Sequence, residues 1–266
     1  MSVVDIHQGR SPIILGLPHT GTDVPPEIWE RLNDNGQLLA DTDWHIHELY
    51  AGLLSDATTV RATFHRYVID ANRDPSGTSL YPGQNTTGLV PETDFDGEAI
   101  WKEGEAPTEK DIAYRLQHFH APYHAALAAE IDRVKAIHGV AILYDCHSIR
   151  SHIPFLFEGK LPDFNIGTDM GKTCDPAVEA IAVDVTSAAE GYTSILNGRF
   201  KGGWTTRHYG QPDKGVHAIQ MELAQCTHLK TETPPFAYDD DKAATLRTHL
   251  KTILTRMEDF ALALRP

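Results

Sequence analysis

The stretch "GVAILYDCHSIRS", residues 139–151, decides how the rest of the chain is read. Its first half is an apolar run with the composition of a strand, and that run delivers Asp145, Cys146, His147 and Ser148 to its end. A lone histidine in such a place is most simply a residue satisfied by its neighbours at a strand terminus. Other strands, however, end in the same manner. Runs rich in Val, Ile, Phe and Tyr read as strands at 11–19, 59–70, 139–145 and 217–224, with weaker candidates at 164–167 and 194–200. Helical patterns, with apolar residues three and four apart, fall at 27–40, 44–57, 109–139 and 175–191. In the last of these Asp175 is the expected N-cap and Pro176 the first helical residue. Leu246, Leu250, Ile253, Met257, Phe260 and Leu264 mark a C-terminal amphipathic helix whose stripe belongs to the core.

Alternating strands and helices imply an α/β domain: three layers, αβα, around a mostly parallel or mixed sheet. In such sheets the functional site lies beyond the carboxyl ends of the strands. That rule gathers His19, Asp70 to Arg73, His147 and Glu222 to Gln225 at one rim. Residues 1–266 read as a single domain. The stretch 81–109, rich in Gly, Pro, Thr and acids, is long for a loop and is expected to cover that rim.

Composition narrows the partners. The chain carries 23 Lys and Arg against 37 Asp and Glu, a formal net charge of −14, which argues against nucleic acid or an anionic membrane as partner. A small anionic substrate remains compatible, since it needs only a few placed arginines. No segment approaches the roughly twenty apolar residues of a membrane helix. The start "MSVVDIHQGR" lacks a basic region followed by an apolar one, so a cytoplasmic location is expected. Three widely spaced cysteines make neither a disulfide framework nor a CxxC metal site. Monomer and homodimer are both compatible with the sequence.

Taken together, the strand ends offer His19 in "LPHTG", Asp41 and Asp43 in "DTDWH", His147 in "DCHS" and Glu222 in "MELA". Two imidazoles and a carboxylate form a catalytic zinc set, and a further carboxylate can act as base. His120 and His124 share a helical face, but no HExxH surrounds them, and a polar face that supports other residues is the simpler reading. Cys146 and His147 are adjacent on a strand and so point to opposite sides, which argues against a thiol-imidazole dyad. No GxSxG elbow, P-loop or GxGxxG is present.

The blocks "PHTG", "DTDWH", "VIDANRDP", "YPGQNTTGLVPETDFDGEAIW", "DCHSIRS", "LPDFNIGTDMGKTC", "GRFKGGWTTRHYG" and "HAIQMELAQ" follow one another over most of the chain. In that order they resemble the N-formylglutamate amidohydrolase (N-formylglutamate deformylase) family, which is itself similar in fold to the zinc carboxypeptidases and the phosphorylase/hydrolase-like group. The resemblance implies one Zn²⁺ held by His19, His147 and an acid, with Glu222 as general base or acid. Relatives of the carboxypeptidase type take their acidic ligand three residues after the first histidine, where this chain has Thr22. The acid is therefore assigned to Asp43, with Asp41 and Asp23 as alternatives. The resemblance also implies Asn72 and Arg73 as binders of a substrate carboxylate. Arg207, with Arg150 or Arg199, would serve a second carboxylate, and His208 or Lys201 would steady the acyl oxygen or the departing group. The implied reaction is hydrolysis of N-formyl-L-glutamate to formate and L-glutamate, at the end of a histidine degradation route. Another N-acyl acidic amino acid, or binding without turnover, are the competing expectations.

Overall fold

A computed structural model describes residues 2–80 and 82–264, so Tyr81, the first residue of the expected loop, lies outside the described residues. Seven strands form one sheet: β1 Val4–His7, β2 Ile13–Leu17, β3 Thr58–Ala62, β4 Ala141–Ile149, β5 Phe164–Gly167, β6 Ser194–Leu196 and β7 Val216–Ala224. The spatial order is β1-β3-β2-β4-β7-β5-β6. The central pairs β3·β2, β2·β4 and β4·β7 are parallel, whereas β1 runs against β3 and β5 against β7. The sheet is therefore mixed. Among the described residues seven α-helices complete the fold: α1 Pro26–Trp29, α2 Ile46–Tyr50, α3 Glu109–Arg115, α4 Ala121–His138, α5 Pro176–Ser187, α6 Trp204–Tyr209 and α7 Asp240–Ala263.

Strand periodicity divides the core into two layers. Ile13, Leu15, Leu17, Ile142, Tyr144, Cys146, Ile219, Met221 and Leu223 face α2, α5 and α7. Ile14, Ala141, Leu143, Val60, Ala62 and Ala218 face Tyr123, Leu127, Ile131 and Val134 of α4. All nine residues of β4 and all nine of β7 are buried, as expected of strands covered on both sides. Truncating any of these large aliphatics to alanine costs about 2–5 kcal/mol. Asp175 caps α5 by accepting from the Ala177 N–H at 2.8 Å, with Pro176 at the first turn.

Several elements depart from the sequence reading. The patterns at 27–40 and 44–57 give only single turns, because Asn33 folds its side chain onto the Gly36 N–H and the chain leaves α2 through Ala51 and the left-handed Gly52. The run at 59–70 stops as a strand at Ala62, and 63–70 instead bends through a turn closed by His65, whose ring accepts from the Tyr67 N–H. The pattern at 109–139 is interrupted by a π-helical turn, Leu116–His120, between α3 and α4. Short elements β1 and α6 left no periodicity long enough to read.

After β2 the chain moves to one side to form β3, and later places β4 on β2's other side. Adjacent connections thus diverge between β2 and β4, which opens a crevice at their carboxyl ends. There the α4-facing stripe turns polar: Asp145 and His147 follow Leu143 on β4, and Gln220 and Glu222 follow Ala218 on β7, with His147 paired directly to Glu222.

Candidate metal and substrate site

His19 lies two residues past β2, and the Asp43 N–H donates to the His19 carbonyl at 3.0 Å, so the 41–45 turn is pinned to the end of β2. Asp43 Oδ2 sits 3.2 Å from His147 Nδ1 and 3.8 Å from His19 Nδ1. One ligand atom from each of these residues lies within 4.8 Å of the others, and all three residues are buried. His19 Nδ1 has no hydrogen-bond partner. A buried ring nitrogen left unpaired, aimed at a carboxylate and a second imidazole, is the donor set that a divalent metal completes. The residues present therefore fit a metal ion.

The opposite nitrogens are held. His19 Nε2 meets Asp70 Oδ1 at 2.7 Å, and His147 Nε2 meets Asp145 Oδ1 at 3.1 Å. Carboxylates in these places orient imidazole ligands and raise their basicity. Arg66 binds the other oxygen of Asp43 at 2.9 Å and lies over the Phe95 ring. Burial, reinforced by Arg66, lowers the His19 pKa and so favours the neutral ring that a metal requires. His147 behaves oppositely: burial works against its charge, but Asp145 and Asp43 raise its pKa well above the ordinary value. Burial likewise opposes ionisation of Asp43 and Asp70. Arg66 and His147 nevertheless hold Asp43 low, and Arg73 and His19 hold Asp70 well below the usual carboxylate range.

Of the alternative acids, Asp41 is engaged elsewhere, accepting from the Tyr67 hydroxyl at 2.8 Å and the Phe95 N–H at 3.0 Å. Asp23 is exposed and contributes backbone contacts to the 63–65 segment. The geometry favours Asp43.

A cavity opens above the cluster, lined by His19, His147, Glu222, Gln220, Asn72, Arg73, Arg66 and Arg199 among others. Burial pushes the Glu222 carboxyl up to about 8, and Gln220 donates to its Oε2 at 3.2 Å. Gln220 also accepts from the Gly203 N–H at 2.7 Å, and Gly203 packs so close to Asn72 that a Cβ there would lie 2.3 Å from the amide nitrogen. Thr86, Thr87 and Phe95 bring the 82–109 segment into the cavity wall. Arg73 is tied to it by bonds to the Thr87 carbonyl and hydroxyl, both at 3.0 Å.

Asp43 lies in the cluster and not in this lining, and Lys201, Arg150, Arg207 and His208, also assigned to the site from the sequence, lie outside it. Arg150 turns to Asp96 at 2.8 Å, Arg207 donates to the Gly202 carbonyl and faces Asp169, and His208 stacks on Trp204 with ring centroids 4.3 Å apart. Arg150 follows the end of β4, while Arg207 and His208 sit on α6, whose direction the sequence did not reveal. Arg66, which the sequence reading did not assign, lines the cavity instead. Its signal was present: an arginine inside the largely apolar run "FHRYVI". Asp70 and Asp145 lay at the expected rim, but nothing in their spacing tied each to a histidine.

Residues 11–229 match the sequence profile of the family described as N-formylglutamate amidohydrolase. The chain is 48% identical over 254 residues to an N-formylglutamate deformylase of Pseudomonas aeruginosa, covering 95% of this chain and 94% of that one. It is 46% identical over 253 residues to one of Pseudomonas putida, with the same coverage. Among solved structures, the fold is similar to an N-formylglutamate amidohydrolase from Ralstonia eutropha, with TM-score 0.81 at 22% identity over 98% of both chains. It is also similar to a gene product from Agrobacterium tumefaciens, with TM-score 0.75 at 16% identity over 98% of this chain and 96% of that one.

Proposed function

The chain belongs to the N-formylglutamate amidohydrolase family, and from that premise we propose that it hydrolyses N-formyl-L-glutamate to formate and L-glutamate with one zinc ion held by His19, Asp43 and His147. Two imidazoles with one carboxylate are a set that zinc favours in catalytic sites. A cytoplasmic setting and a place at the end of histidine degradation accompany this reading. The observation that carries it is the buried convergence of those three residues beneath a cavity that also holds a carboxyl group and three arginines.

When bound, the ion supplies Lewis acidity towards the formyl oxygen and brings the pKa of water towards neutrality. The chain's own residues do the rest. Glu222 takes a proton from the attacking water and returns it to the departing glutamate nitrogen. Gln220 holds that carboxyl in place. Arg66, buried at the cavity wall with its Nε unpartnered, offers positive charge to the oxygen that becomes negative as water adds. Asn72 and Arg73 receive one substrate carboxylate, and Arg199, which also lines the cavity, receives the other.

Formate release measured across N-formyl-L-glutamate, N-formyl-L-aspartate, N-formyl-L-glutamine and N-acetyl-L-glutamate tests the assignment. The highest kcat/KM should belong to N-formyl-L-glutamate. Faster hydrolysis of the glutamine compound, whose side chain is uncharged, would remove the role given to an arginine at the second carboxylate.

A further inference from the structure

His120 and His124 take no part in the metal cluster, yet both are buried. A helix face packed against the sheet normally carries leucine or valine, and a buried imidazole is unfavourable unless its nitrogens are bonded. Here they are. His120 Nε2 lies 3.0 Å from the carbonyl of Arg73, and His124 Nε2 lies 2.7 Å from the carbonyl of Ala71. A carbonyl only accepts, so in both rings Nε2 carries the proton and donates. The two carbonyls flank Asn72 in sequence.

Their partners make this turn a junction. The Asn72 N–H donates to Asp70 Oδ1 at 2.8 Å, the same oxygen that meets His19. Asn72 Oδ1 accepts from the Thr205 N–H at 2.9 Å, at the start of α6. Trp204, one residue earlier, packs edge-on against His124 at 4.6 Å and lies 5.6 Å from His120. The 70–73 turn is thus gripped by Asp70 on one side, by the two histidines on a second and by α6 on a third. The π-helical turn ending at His120 is part of the device. An inserted residue rotates the helix before it relative to the helix after it, and such turns collect at functional sites. From His120 onward, a spacing of four keeps the two rings on one face.

We propose that His120 and His124 are positioning residues for substrate binding: through the carbonyls of residues 73 and 71 they set the orientation of Arg73 and Asn72 towards the substrate carboxylate. This rests on the reading that Asn72 and Arg73 bind that carboxylate. Neither histidine touches substrate, and each acts through the backbone that it holds. Glutamine reaches about as far as histidine Nε2 and keeps an N–H donor there. Leucine removes the donor, and asparagine is too short to deliver it.

Steady-state kinetics with N-formyl-L-glutamate, alongside zinc content, on H120Q, H120L, H120N, R73A and the H120L/R73A double variant tests the proposal. H120L is expected to raise KM about tenfold with kcat within about twofold and zinc content unchanged, while H120Q stays within about twofold of the parent KM. In the R73A background, H120L should add less than about twofold, because the group it positions is gone. If H120L fails to fold, H120N takes its place in the same comparisons. A parental KM in H120L and H120N, no rescue by glutamine, or full additivity with R73A would each overturn the proposal. An unchanged KM in R73A alone would instead remove Arg73 as a substrate binder, and is recognisable as failure of the underlying reading.

Discussion

Among the described residues two pairs of buried histidines lie close together, and their ring nitrogens are engaged in opposite ways. His120 and His124 are the tighter pair, with ring centroids 4.4 Å apart against 5.0 Å for His19 and His147. They also have the more suggestive spacing, four residues on one helix. Yet their Nε2 atoms are committed to main-chain carbonyls, and burial drives the His124 pKa down to about 3. His19 and His147 lie 128 residues apart in sequence and meet only because β2 and β4 are neighbours. Each has one nitrogen anchored by a carboxylate and the other turned towards Asp43. Proximity does not make a metal site; what matters is which nitrogen is left available and what anchors the other.

This contrast can be broken in order of expected effect. H19A and H147A should each lower kcat/KM by about 10³-fold or more and abolish stoichiometric zinc. H124L should leave zinc in place while the Ala71 carbonyl loses its donor, which should raise KM and cost about 1–3 kcal/mol in denaturant unfolding. Zinc loss in H124L would erase the distinction between the pairs. E222Q should retain zinc and lose about 10²–10⁴-fold in kcat, which separates holding the ion from moving the proton. D70N keeps the shape around His19 but weakens its anchor, and zinc affinity by competition with a chelator should fall about 10–100-fold. An affinity unchanged in D70N would mean that the anchor is dispensable.

The smallest effect lies at the start of the helical segment that carries the second pair. Thr108 and Asp111 form a capping box at α3. Arg31, together with the Thr108 N–H, holds the Asp111 carboxyl well below its ordinary range. Its folded pKa is depressed, so its contribution is fully present above the usual carboxylate pKa and is lost as pH falls through the lower, folded value. D111N should therefore cost about 1 kcal/mol at neutral pH. The gap to the parent should shrink below about pH 4, with kcat/KM at neutral pH unchanged.

The sequence made legible whatever depends on periodicity and on strand ends. Buried β4 and β7, the capped α5 and the long α7 follow from apolar spacing, and His19, His147 and Glu222 from the rule that sites lie past the strands. Neither spacing nor the family resemblance separated Asp43 from Asp41 or Asp23; the burial of Asp43 beside both imidazoles is visible only in the structure. The features that stayed hidden depend on where irregular chain turns. The strand reading of 59–70 hid the bend that aims Arg66 at Asp43, and the helix reading of 109–139 hid the π-helical turn. Arg207 and His208 were assigned from the charge of the substrate that the resemblance implies, whereas α6 points one at Asp169 and stacks the other on Trp204. Side-chain direction in six residues of helix after a glycine pair carries no periodic signal.

The central claim is that His19, Asp43 and His147 hold the ion on which turnover depends. Its most direct test is to strip the purified protein with a chelator and titrate zinc back, following bound metal and formate release from N-formyl-L-glutamate in the same samples. Turnover should vanish on stripping and return in proportion to metal, levelling at one ion per chain. Undiminished turnover in the stripped protein, or recovery that H147A shares, would contradict it.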